Sequence, residues 1–129
     1  MNIQLFSSPD DLKDRWRGQE FFRDEHVGYV YICECGNAVK IGQTGKPLTR
    51  LFTHKYMSRV YGENDVRRIA ITSHFSFYKE LEHFLHLQLA EYRRGVREEF
   101  FSISFDSALH VLRSIIEDPF CKYLFTIER

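Results

Sequence analysis

Cys33 and Cys35 stand one residue apart, and His83 and His86 stand three apart, so the first chemistry to weigh is zinc binding. A structural zinc site draws on two well-spaced ligand pairs. The remaining cysteine is Cys121, which completes no second pair, and three cysteines give no disulfide framework. On a helix His83 and His86 share a face, where packing or surface roles account for them. No HExxH, P-loop, GxSxG or GxGxxG pattern occurs. The sharper signal is a spacing. Tyr31 closes the stretch Tyr29-Val30-Tyr31, Lys40 opens Lys40-Ile41-Gly42 nine residues on, and Arg50 follows after ten more. A phenol and an amine exchange protons, and a guanidinium holds anionic oxygens. His54 lies one helical turn beyond Arg50, on the same face. Taken singly, Tyr31 reads as strand packing, Arg50 as an ion-pair partner, and Glu82 as a solvated helix charge with Glu80 as its nearest competitor. Their joint spacing favours a site.

In order, these pieces resemble the GIY-YIG endonuclease superfamily, in particular a small phage and bacterial branch with a KIG second motif. Tyr31 matches the tyrosine that closes the first motif, and Ile41-Gly42 matches the end of the second. Arg50 matches the arginine that follows. Leu81 to His86 resembles the helix presenting a metal-binding glutamate, here Glu82, and Glu99-Phe100-Phe101 resembles a short acid–aromatic–Phe element. The resemblance spans residues 28–101. Tyr29 stands where the first motif has its glycine, with Gly28 one place earlier, and Lys40 stands where the second motif has tyrosine.

The resemblance implies a metal-dependent DNA endonuclease that hydrolyses phosphodiester bonds, with Glu82 anchoring Mg2+ (or Mn2+). Such an ion keeps several waters and neutralises phosphate charge. Arg50 would stabilise charge on the phosphate. Tyr31 is the candidate general base, although a phenol pKa of about 10 requires neighbouring cations to lower it. Lys40 as a neutral amine and His54 as a proton relay remain alternatives. Lys40, Lys46, Arg50, Lys55 and Arg59 would contact the DNA. One Tyr/Arg set and one carboxylate imply nicking, with double-strand breaks needing two encounters or a homodimer. The alternative is a non-catalytic nucleic-acid-binding module that retains the fold.

The elements that must position these residues follow from pattern. The chain has 129 residues, 43% hydrophobic and 28% charged, with 12 Phe and 7 Tyr, which suits one globular domain. We expect a GIY-YIG-like core over 28–101, with helical flanks at 1–27 and 102–129. No apolar run is long enough to span a membrane and no secretory signal is visible, so a reduced, cytoplasmic setting is expected. Eighteen bases balance eighteen acids. Between residues 37 and 68, however, seven bases (Lys40, Lys46, Arg50, Lys55, Arg59, Arg67 and Arg68) face only Glu63 and Asp65. That makes a basic middle third, suited to phosphate.

Ser8-Pro9-Asp10-Asp11 predicts a helix start, with Leu12, Trp16, Phe21 and Phe22 on its apolar face. Gly28 to Glu34 and Ala38 to Gly42 predict a hairpin, and Pro47 a helix running to about Tyr61. Val66 to Ser73 predicts a third strand. Ser76 to Tyr92 predicts a helix burying Leu81, Phe84, Leu85, Leu87 and Leu89, and Ser104 to Ile116 another. Cys121 to Ile127 reads as a strand or a terminal arm. The expected fold is α/β (α+β), a small three-stranded, mainly antiparallel sheet flanked by helices.

Overall fold

A computed structural model describes residues 2–16, 27–49, 66–94 and 100–120 of the chain. Its elements in order are β1 (Ile3–Phe6), α1 (Pro9–Arg15), β2 (Tyr29–Cys35), β3 (Ala38–Thr44), β4 (Val66–Thr72), α2 (Tyr78–Gln88), β5 (Phe100–Phe101) and α3 (Phe105–Glu117). The expected mixed α+β class holds, but the sheet has five strands rather than three, in the order β1-β4-β2-β3-β5, all paired antiparallel. Its centre is the hairpin and strand that the residue pattern predicts. The additions are short edges: β1 lies within the flank expected to be helical, and β5 within the acid–aromatic–Phe element.

The β2–β3 hairpin turns at Gly36-Asn37, with Gly36 at φ 62°. Positive φ at the first central residue alone suits a two-residue hairpin turn with glycine in that place. The register sets Tyr31 opposite Gly42 and Cys33 opposite Lys40. Because side chains alternate, Tyr29, Tyr31, Cys33 and Cys35 share one face of the sheet, and Val30 and Ile32 the other. The first face packs with Phe6, Leu12 and Trp16 under α1. The second packs with Leu81, Leu85 and Leu89, and with Leu109, Leu112, Ile115 and Ile116 of α3.

Helix starts follow their caps. Ser8 accepts a hydrogen bond from the Asp11 amide, and Ser104 from the Ser107 amide, each satisfying an otherwise orphaned N–H. The helix expected over 76–92 is shorter. It ends at Gln88, and a 3-10 turn over Ala90–Tyr92 leads the chain toward β5. Leu87, expected in the core, is 59% exposed. The i, i+4 series Leu81, Leu85, Leu89 fills the buried stripe, and Leu87 points away from it.

β1 is an outer edge, and its backbone is capped by α1. The Leu5 carbonyl accepts from Arg15 Nη2 at 2.7 Å, and the Ser7 amide donates to Asp11 Oδ2 at 2.9 Å. Arg15 Nε also meets Asp11 Oδ1 at 2.6 Å, holding that carboxyl far below its ordinary pKa. Such side chains keep an edge strand from recruiting another chain. Arg15→Ala leaves the Leu5 carbonyl open beside a side chain that is 45% exposed. We expect this variant to melt as the wild type does but to associate with rising concentration in sedimentation velocity. An unchanged sedimentation coefficient would assign the capping elsewhere.

Candidate active site

The site is built on β3. Tyr31 is fully buried, and its ring lies across the neighbouring strand. A Cβ placed on Gly42 would meet the Tyr31 hydroxyl, with Cζ 2.6 Å away, so the phenol occupies the space a side chain would fill. The close approach requires glycine there. Lys40 lies on the same face, diagonal to Tyr31 across the pair, which puts their backbones about 7 Å apart. It is buried, with Nζ 5.4 Å from the centre of the Phe100 ring.

Glu82 stands on α2, which packs on the opposite face, yet it comes to the same part of β3. On β3, strand β5 pairs with Val39 and Lys40. One residue further, the Ile41 carbonyl is 3.0 Å from His86 Nε2. A carbonyl only accepts, so Nε2 carries the proton that joins them. The same nitrogen is 3.8 Å from Glu82 Oε1, one helical turn back. The imidazole also stacks edge-on against Phe101, centroids 4.9 Å apart. Ile41 thus receives the Glu82–His86 pair from one side, and the Tyr31 hydroxyl lies over Gly42, the next residue. Glu82 keeps 16% of its side chain exposed and His86 11%. Glu80, the competing carboxylate, is exposed and lies outside this arrangement, as does His83, so the two histidines do not act as a pair.

Among the described residues no group of three or more His, Cys, Asp or Glu is arranged to hold a metal. The donor set nevertheless fits Mg2+, which takes hard oxygen and is often held by one or two carboxylates with its waters retained. Glu82 offers that oxygen, and the His86 Nε2 is engaged by Ile41. Cys33 and Cys35 belong to the core under α1. Burial pushes both thiols up, Cys35 to about 11, so they are neutral packing groups at physiological pH.

Lys46 is exposed at the end of the hairpin. Arg50, His54, Lys55, Arg59 and Glu99 lie outside the described residues, as does the segment Cys121 to Ile127. The residue pattern reads His86 only beside His83, and Phe100 only within the Glu99-Phe100-Phe101 element. An i, i+4 Glu–His pair on an amphipathic helix was the signal available for the first.

A mixed α+β domain with a fully antiparallel sheet and a polar cluster at one strand edge is the class these features define. The T5orf172 domain matches residues 28–116, most of the chain, and the chain belongs to that family. The match begins at Gly28 and extends into α3. Membership is compatible with a nuclease-like or nucleic-acid-binding role. No curated protein and no solved structure matches the chain. Among the described residues no helix is long and apolar enough to cross a membrane.

Proposed function

We propose that this T5orf172-family domain is a GIY-YIG-type, Mg2+-dependent DNA endonuclease that nicks one strand per active site. The observation that carries the reading is the convergence on Ile41-Gly42. There the Tyr31 hydroxyl and the Glu82–His86 pair reach one strand edge from opposite faces of the sheet. Glu82 would hold the metal ion, which when bound would supply charge neutralisation at the phosphate.

The protein's own groups do the rest. Tyr31 takes the proton of the attacking water through a bridging water, because its Oη is buried, and this requires its phenolate form. Lys40 supplies a cation that favours that form. Arg50 holds a nonbridging phosphate oxygen and balances charge as it builds. His54, four residues after Arg50 in sequence, relays the proton to solvent. Lys46, Lys55 and Arg59 hold flanking phosphates, so affinity falls steeply with salt.

Incubation of supercoiled plasmid with the protein, in Mg2+ and in EDTA, tests this reading. Nicked circles should accumulate before linear product in Mg2+, and EDTA should stop the reaction. A linear product without a nicked precursor, at limiting protein, would require paired active sites in a homodimer. DNA binding with intact plasmid in Mg2+ and Mn2+ would replace catalysis with a binding role.

A further inference from the structure

The face of the sheet that carries Tyr31 continues past Lys40 to Phe100 and then to Arg94, which the sequence pattern did not single out. After the 3-10 turn the chain runs antiparallel beside β5. The Arg94 amide donates to the Phe100 carbonyl at 2.9 Å, the Ser102 amide donates to the Tyr92 carbonyl at 2.7 Å, and Arg93 bridges Phe101. This register sets Arg94 opposite Phe100, and Phe100 is itself opposite Lys40. Directly opposed residues project to the same face. Lys40, Phe100 and Arg94 therefore form one row across three adjacent backbone segments, next to the row of Tyr31 and Gly42.

The row has a particular chemistry. Lys40 is buried beneath the partly exposed Phe100 ring. Arg94 is exposed, and its Nε donates to Ser102 Oγ at 2.7 Å, which anchors the guanidinium on the face that carries Phe100. A guanidinium held through Nε still presents its terminal nitrogens to an anion. An aromatic face flanked by cations is the arrangement on which a nucleotide stacks while its phosphate is held.

We propose that Arg94 and Phe100, backed by Lys40, form a DNA-contact strip on the β5 edge. Arg94 binds a backbone phosphate, and Phe100 packs against the sugar or base of a nucleotide next to the scissile phosphate. This deepens the nuclease reading by naming where the substrate strand lies, and it rests on that reading for the position of the scissile bond. Binding itself is measured without catalysis.

The test is fluorescence anisotropy with a short labelled DNA duplex in EDTA across a salt series. Arg94→Ala should weaken binding several-fold and reduce the salt slope by about one charge. Arg94→Lys should recover the slope. Phe100→Leu, which keeps apolar bulk, should weaken binding without changing the slope. Arg113→Ala, on the exposed side of α3, is the control for overall charge and should leave binding unchanged. Thermal melts confirm that each variant is folded. Equal affinity and slope in Arg94→Ala, or an equal loss in Arg113→Ala, overturns the strip. If the wild type binds DNA with these dependences but cuts nothing, the nuclease reading fails and the strip stands. If the wild type cuts and Arg94→Ala cuts with unchanged KM, the strip fails alone. Absence of DNA binding by the wild type overturns the strip, and plasmid nicking in Mg2+ decides the nuclease reading separately.

Discussion

Glu82→Gln should lower Mg2+-dependent plasmid nicking by about a hundred- to a thousandfold, the scale for losing a group that stabilises transition-state charge. The amide is isosteric and keeps an oxygen near His86 Nε2, so the helix and its packing are retained. What it loses is the negative charge that a hard divalent cation requires. Melting temperature and DNA affinity in EDTA should stay close to wild type, because Leu81 and Leu85 of the same helix carry its burial. Calorimetric titration with Mn2+ separates the causes: the variant should show no saturable binding where the wild type does. Glu80→Gln is the paired control and should cut normally, since Glu80 is exposed away from Ile41. A Glu82→Gln protein that nicks at the wild-type rate would move the metal site elsewhere.

Much of this arrangement is legible from residue order because it is local. Aromatic and β-branched residues over 29–32 and a glycine at the turn define the hairpin, and the hairpin register alone brings Tyr31 to Gly42. The helix caps at Ser8 and Ser104 are equally local. The edges are not. β1 has four residues and β5 two, too short for an alternating pattern to register, and each exists because a longer strand offers it hydrogen bonds. Arg94 is illegible for the same reason, since it joins the Lys40 row only through β5.

The α2 helix illustrates a different limit. Leu85, Leu87 and Leu89 look alike in sequence, and only the helical angle sends Leu87 outward. The tie between Glu82 and β3 was out of reach too. The residue pattern pairs His86 with His83, whereas the fold gives His86 to the Ile41 carbonyl and to Glu82.

Gly42→Ala should be as damaging to catalysis as the loss of the tyrosine hydroxyl itself, and its cause is steric. The new methyl would enter the space held by the Tyr31 hydroxyl and Cζ, and the Tyr31 ring is fully buried, so it cannot swing aside freely. Overpacking of this kind costs about 1–3 kcal/mol of stability. That loss is tolerable to a domain of ordinary stability, and the variant should fold with a lowered melting temperature. Its hydroxyl, however, would be displaced from the strand edge where Glu82 and His86 converge. A displacement of this size at a reacting group costs about a hundredfold in rate. Tyr31→Phe complements it by removing the hydroxyl while retaining the ring. It should cut equally poorly, melt near wild type, and lose the rising limb of the rate–pH profile that reports the base. The double variant Gly42→Ala/Tyr31→Phe should then be little worse in rate than either single change, because both act on one hydroxyl. Multiplicative loss in the double variant, or an unchanged pH profile in Tyr31→Phe, would take the base role from Tyr31 and leave it to Lys40 or His54.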